Sequence, residues 1–279
     1  MLENKIAVVT GAGGTLCSEI AVELAKAGAT VFLIGRTEEK LVRTAERIAE
    51  AGGKPPVIYP CDVTDSEAVA ALAERVAEVG GCDYLINGAG GNNVKAMPTI
   101  TAFDPRELTG ELPEGARGLY DIDMGAFEDV LKINTMGTVI PTMALAKQMV
   151  AKGGGAIINF ASMNSYCPLT RCFAYAMSKA AIVNLTQSFA AYYAPANIRV
   201  NAIAPGFMVN ERSRAYLGTV EEGLTPRGEQ VIKHTPYGRF GKAADLIGCV
   251  KWLLDEDAAA FVTGATIPVD GGFLTLGGV

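Results

Sequence analysis

Lys5-Ile-Ala-Val-Val-Thr-Gly-Ala-Gly-Gly-Thr-Leu-Cys17 changes character halfway along. Lys5–Thr10 is apolar and β-branched and predicts a strand. From about Leu16 to Ala27 the apolar residues recur at helical spacing and predict a helix. Between them lie Gly11, Gly13 and Gly14. Without side chains, that turn lets a backbone come close to a pyrophosphate, and the helix behind it offers free N–H groups and a favourable dipole. Many glycine-rich turns are only tight turns. The position after a strand and before a helix is what raises this one to a candidate dinucleotide site.

The same alternation continues outward from this unit. Strands are predicted at Thr30–Ile34, Val57–Cys61, Asp83–Asn87, Ala156–Ala161, Ile198–Ala202 and Thr266–Val269. Helices are predicted at Glu38–Ala51, Ser66–Val79, Gly125–Val150, Cys172–Tyr193 and Ala243–Leu254. Such a βαβ rhythm predicts an α/β fold: a Rossmann-type, doubly wound parallel sheet of about seven strands, helices on both faces, in a single domain. Pro141 falls inside a predicted helix, where a kink or local break is expected. Two connections are too long for the rhythm, about 92–123 and about 207–235, and connections of that length are usually functional.

Composition narrows the function classes. The chain has 279 residues, 49% hydrophobic and 19% charged, enough for a large core. Twenty-four basic against 30 acidic side chains leave a net charge of −6. No basic cluster suggests nucleic-acid binding. No apolar run approaches the ~18 residues that span a bilayer. The N-terminus enters a strand directly, which leads us to expect a cytoplasmic protein. The six cysteines show no CxxC pair and no metal-type spacing, so reduced thiols and no metal are expected.

At the end of the second strand, where an Asp or Glu would grip a ribose diol, the chain has Gly35-Arg36. An arginine can pair with a 2′-phosphate there, which favours NADP, with NAD still possible. Asp62 could accept from an adenine amino group, or could simply be a turn residue. Further along, Tyr175 and Lys179 lie four residues apart on one helix face. Nine tyrosines in such a sequence make that pair uninformative alone. Its setting says more. Ser162 sits at the carboxyl end of a strand, the edge where parallel sheets bind ligands, and Asn134 lies in the preceding helix.

Taken together, Thr10–Cys17, Cys61-Asp-Val63, Asn87-Gly-Ala-Gly90, Asn134-x-x-Gly137, Ser162, Tyr175-x-x-x-Lys179, Asn201–Gly206, Val262-Thr-Gly264 and Val269–Gly272 resemble the short-chain dehydrogenase/reductase family over essentially the whole sequence. The resemblance implies that Tyr175 is the acid–base group, its phenol brought down towards neutral pH by Lys179 and the nicotinamide. It implies that Ser162 holds the substrate oxygen and that Asn134 holds a relay water. Gly11, Gly13, Gly14, Thr15, Leu16, Arg36, Asp62, Val63, Asn87, Gly88, Ala89, Tyr175, Lys179, Pro205 and Gly206 would line the cofactor site, and 207–235 would form a lid. Two departures stand out: Thr15 and Cys17 replace family glycines, and Asn87-Gly88 replaces Asn-Asn. The resemblance also implies a homodimer or homotetramer built on two helices that are apolar on more than one face.

A finer similarity, in Gly88–Lys95, the segment to Asp123 and Leu224-Thr-Pro-Arg227 onward, is to D-mannonate oxidoreductases of the short-chain type. It implies a sugar-acid substrate, D-fructuronate/D-mannonate. Candidate substrate contacts are Asn92, Asn93, Lys95, Arg171, Asn210 and Arg212, with Arg171 or Lys95 taking the carboxylate. Another polyol or keto-acid reductase, such as a gluconate 5-dehydrogenase-like enzyme, is the alternative. A catalytically idle dinucleotide-binding regulator is a third reading, against which Tyr175 and Lys179 both stand. The lone His234 is expected to be structural or to lie on the lid.

Overall fold

The computed structural model describes residues 2–209, 211–219 and 222–276. The chain runs β1 (Ile6–Thr10), α1 (Thr15–Lys26), β2 (Thr30–Gly35), α2 (Glu38–Glu50), β3 (Val57–Pro60), α3 (Ser66–Glu78) and β4 (Tyr84–Asn87). Then follow α4 (Met124–Lys152), β5 (Gly155–Phe160), α5 (Phe173–Tyr193) and β6 (Ile198–Pro205). The chain continues with α6 (Glu211–Leu217), β7 (Gly218–Thr219), β8 (Gly223–Leu224), α7 (Pro226–Lys233), α8 (Ile247–Leu254) and β9 (Thr266–Val269).

Seven strands form one parallel sheet in the order β3-β2-β1-β4-β5-β6-β9. Side chains alternate along β1, as strand geometry requires. Ala7 and Val9 join a buried cluster with α1, α2 and α8, whereas Ile6 and Val8 join the opposite cluster with α3, α4 and α5. Both faces are therefore covered, and the strands read as continuous apolar runs. Because the chain leaves β1 for β2 and β3 on one side and returns to β4 on the other, the crevice between β1 and β4 is the topological switch point.

The register sets up the carboxyl edge. Thr10 pairs with Asn87, and Asn87 with Asn159. Asn87 Nδ2 donates to Asn159 Oδ1 and to Thr142 Oγ1 at 2.9 Å each, and Asn159 Nδ2 donates to Thr186 Oγ1 at 3.0 Å. This buried polar ladder ties β4 and β5 to α4 and α5, and a slip of register would leave several buried amides unpaired.

Three details differ from the sequence reading. Helix α4 runs unbroken for 29 residues through buried Pro141, packed against α3 and α5, so no local break occurs there. Strand β6 extends past Ala202 to Pro205, because β9 pairs with Ala202–Pro205. The segment 207–235 is not a plain loop. It holds α6, the β7–β8 hairpin and α7, with a small core of Leu217, Val231 and Phe240. The segment 92–123 holds only two short 3-10 turns, Val94–Ala96 and Pro105–Glu107. Arg117 stitches its ends together: its Nη2 donates to Met97 O at 2.7 Å, and its own carbonyl accepts from Thr99 N at 2.9 Å. Among the described residues, no helix is long and apolar enough to cross a membrane.

Candidate active site

The turn after β1 is shaped by backbone crowding. Gly11 has φ +68°, and a Cβ there would lie 2.8 Å from Gly88 O and 2.9 Å from Ala89 N. Thr10 Oγ1 accepts from the N–H groups of Gly88 and Ala89 at 3.0 and 3.1 Å, joining the β1 and β4 turns. Gly14 is the N-cap of α1 and offers no side-chain cap. The first turn around Thr15 and Leu16 therefore presents uncapped N–H groups at the sheet edge, which suits a pyrophosphate.

The departures from the family pattern at 17 and 88 turn out to be one feature. A Cβ on Gly88 would sit 2.1 Å from Cys17 Sγ. The buried sulfur fills the space that a side chain at 88 would need, so a cysteine at 17 requires a glycine at 88. Burial pushes the Cys17 thiol up to about 12, although the charge of Lys179 pulls the other way, so it stays protonated.

At the adenine end, Arg36 is exposed. Asp62 Oδ1 accepts from Thr64 N at 2.9 Å and Thr64 Oγ1 at 2.8 Å. Partial burial works to raise its carboxyl, but those bonds and the Arg36 charge outweigh it and hold it below the usual range. Val63 is buried, and its methyl lies 3.0 Å from where a Cβ on Gly137 would stand, so Gly137 lets α4 close on this turn. At the far side, Gly206 follows Pro205 and donates its N–H to Val269 O at 3.0 Å. It borders a cavity of about 380 Å³ reaching Tyr237, Arg239 and Asp270.

Asn134, Ser162, Tyr175 and Lys179 come together at the carboxyl edge. Asn134 is buried, and its Nδ2 donates to Gly91 O and Val130 O at 2.8 Å each while its Oδ1 accepts from Gly91 N at 3.1 Å. Its side chain thus staples the turn after β4. Gly90 in that turn has its missing Cβ 3.6 Å from Lys179 Nζ. Ser162 Oγ accepts from Asn164 N at 3.2 Å, and the hydroxyl lies near enough to the Tyr175 phenol to favour its ionised form. The Tyr175 ring packs on Ala96, Ala126, Val130 and Ala174.

Lys179 is 5% exposed, and its Nζ donates to Phe160 O at 2.7 Å, 5.7 Å from the Tyr175 ring centre. Burial lowers its ammonium to about 8, opposed only by nearby Cys17. Burial also raises the Tyr175 phenol, with the Ser162 bond opposing. In the protein alone burial is thus the larger influence on the phenol, and the ammonium donates to a backbone carbonyl.

The expected substrate contacts are scattered. Asn92 Nδ2 donates to Met97 Sδ at 3.1 Å, and Asn93 Oδ1 accepts from Lys95 N at 3.0 Å, so both serve the turn they sit in. Lys95 is exposed. Arg171 has φ +70° and donates from Nη1 to Thr99 O at 3.0 Å, so it faces the 92–123 segment. Asn210 and the side chain of Arg212 lie outside the described residues. His234 ends α7 and is exposed, its Nδ1 2.8 Å from Gln230 O. Sequence reading assigned no role to Tyr216 on α6 or to Arg227 on α7, whose charge reaches Tyr216. The Thr225-Pro226 pair, an N-cap followed by proline at the first helical position, is the signal that would have placed Arg227 in a first turn.

The family model described as short chain dehydrogenase matches residues 5–217. An "uncharacterized oxidoreductase" of Haemophilus influenzae is 42% identical, over 100% of this chain and 96% of that protein. A solved structure from Haemophilus influenza, described provisionally as a D-mannonate oxidoreductase with bound NAD, superposes with TM-score 0.92 at 41% identity, covering 100% of this chain and 98% of that one. A solved structure from Beutenbergia cavernae, described provisionally as an NAD(P)-dependent gluconate 5-dehydrogenase with bound NADP, gives TM-score 0.79 at 32% identity, covering 98% of each.

Two outcomes follow from this geometry. Gly88→Ala is expected to destabilise the fold by about 1–3 kcal/mol in denaturant melts, because the new methyl meets a buried sulfur. Cys17→Ala should recover part of that loss, since the Cβ of residue 17 lies 3.6 Å away, an ordinary contact, and only the Thr10 carbonyl at 3.1 Å stays tight. Additive effects in the double mutant would show that the two sites are not coupled. The second outcome concerns Lys179, whose folded value of about 8 lies below its ordinary 10.5. Between these values the unfolded protein binds the extra proton, so stability rises with pH there, and the full burial cost is present below about 8. Melts of wild type and Lys179→Met should therefore converge, or cross in favour of wild type, by on the order of 2 kcal/mol from pH 8 to 10. A pH-independent difference would contradict the burial account.

Proposed function

This chain belongs to the short chain dehydrogenase family, and we propose that within it the protein is a reductase of a sugar acid, interconverting D-fructuronate and D-mannonate. It is an NAD(P)-dependent oxidoreductase acting on a small molecule; the substrate named here is our reading. The carrying observation is the gathering of Ser162, Tyr175 and buried Lys179, with Lys179 Nζ 5.7 Å from the Tyr175 ring centre, at the sheet edge that also holds the uncapped start of α1. The D-mannonate description of the Haemophilus influenza neighbour supports the choice of substrate. The gluconate 5-dehydrogenase description of the Beutenbergia cavernae neighbour supports the alternative, a gluconate 5-dehydrogenase-like enzyme.

A bound nicotinamide dinucleotide supplies the hydride. Gly11–Leu16 would hold its pyrophosphate by backbone N–H groups, and Asp62, Val63, Asn87–Ala89 and Pro205-Gly206 would line the rest of its site. Ser162 donates to the substrate carbonyl and Tyr175 gives it a proton, the phenol being returned to the acid form through Lys179 and solvent. Desolvation keeps Tyr175 protonated at neutral pH, the form a reduction needs. Asn134 acts by holding the 88–91 turn against Lys179. The segment 207–235 is proposed as the lid. Exposed Met136, Met143, Met177 and Tyr192 on α4 and α5 support assembly as a homodimer or homotetramer.

Tyr175→Phe is expected to lower turnover of D-fructuronate by at least about 10³-fold with little change in cofactor affinity. Retained turnover would end the acid assignment. Arg36→Ala should weaken NADPH binding roughly 10- to 100-fold and NADH binding little, the loss of a charged hydrogen bond to a 2′-phosphate. Equal losses, read by titrating each cofactor, would reject NADP as the preferred one.

A further inference from the structure

Ser165 closes the short 3-10 turn Met163–Ser165 that follows β5 and Ser162. The two serines form a reciprocal box. Ser162 Oγ accepts from Asn164 N at 3.2 Å, and Ser165 Oγ accepts from Ser162 N at 3.3 Å. The first bond uses an acceptor site on Ser162 Oγ and leaves its O–H free to donate. The second gives an acceptor to the N–H of buried Ser162, which would otherwise lack one.

The Ser165 hydroxyl gives its own proton to α5, donating to Lys179 O at 2.7 Å. One oxygen atom therefore joins the backbone of Ser162 to the backbone of Lys179. The Lys179 ammonium adds a second tie, since Nζ donates to Phe160 O at 2.7 Å, just ahead of Ser162 in the chain. Lys179 is thus fastened to the end of β5 through its side chain and to the following turn through its carbonyl. Buried Asn164 braces the chain between that turn and α5, its Oδ1 accepting from Leu169 N at 2.9 Å. Tyr175 lies one helical turn before Lys179 on the tethered helix. An alanine at 165 would remove both hydroxyl bonds at once while changing the volume little.

We propose that Ser165 is a positioning residue of the oxidoreductase reaction, its hydroxyl fixing the Ser162 turn to the helix that carries Tyr175 and Lys179. This rests on the oxidoreductase reading of the site and not on which alcohol is oxidised. It has a consequence for pH. Burial raises the Tyr175 phenol, and the nearby Ser162 hydroxyl opposes that rise. A Ser162 turn no longer tied to α5 opposes it less, so the phenol moves up further. Alcohol oxidation uses the phenolate as base, so its rate climbs with pH until the phenol is ionised. Loss of the Ser165 hydroxyl therefore displaces that rising limb to higher pH.

The test is the pH profile of kcat for oxidation, with whichever of D-mannonate, D-gluconate and xylitol wild type oxidises fastest. Should that alcohol not be D-mannonate, the sugar-acid reading suffers and this inference is still tested. Ser165→Ala should lower kcat at neutral pH roughly 10-fold, with KM changed by no more than about twofold. The loss should shrink as pH rises, because the limb is displaced rather than lowered. Ser165→Thr keeps the hydroxyl and should restore the profile to within about twofold. In a Ser162→Ala background the change to alanine at 165 should cost less than in wild type, because Ser165 acts through Ser162. An unchanged profile, an equal loss at every pH, a threonine variant no better than alanine, or the full 10-fold cost without Ser162 would each overturn the assignment.

Discussion

A cation buried without a counter-ion is the constraint around which the catalytic edge is built. Lys179 is almost wholly enclosed, and its ammonium is satisfied by one carbonyl, Phe160 O at 2.7 Å. A carboxylate beside it would reduce the cost of burial but would also hold the proton tightly. Left with only a carbonyl, the amine is lowered to about 8, close enough to neutral pH to pass protons. The fold must tolerate this, and it does so by clamping the helix that carries it. Ser165 Oγ donates to Lys179 O at 2.7 Å, and buried Thr186, further along the same helix, receives Asn159 Nδ2.

The neighbouring turns are arranged so that nothing but backbone fits between them. Thr10 bridges β1 and β4, Gly11 abuts Gly88, and Gly90 abuts Asn134. The Cys17–Gly88 contact shows that the rule concerns volume rather than residue identity. One position carries a side chain and the other gives its own up, so the shared space is filled once. Close packing makes such exchanges possible only in pairs. The polar ladder of Asn87, Asn159, Thr142 and Thr186 lies directly beneath and transmits that register across the sheet.

The sheet was legible because buried parallel strands leave a strong trace: Ile6–Thr10 and Thr30–Gly35 are continuous apolar runs between helical periods. Element ends were less so. Ile203-Ala-Pro205 runs into a proline and a glycine, which read as a turn, yet pairing with β9 makes it strand. Tertiary packing likewise carried α4 through Pro141 against local preference. The meeting of Asn134, Ser162 and Tyr175 with Lys179 was legible from their order and from the rule that parallel sheets work at their carboxyl edge. The side-chain assignments were not. Asn93 and Arg171 are polar residues in the right segments, but a sequence does not tell whether a polar group serves its own turn or a ligand. Arg171 serves Thr99, Asn93 serves Lys95 N, and α6 and α7 were too short to leave a clear period.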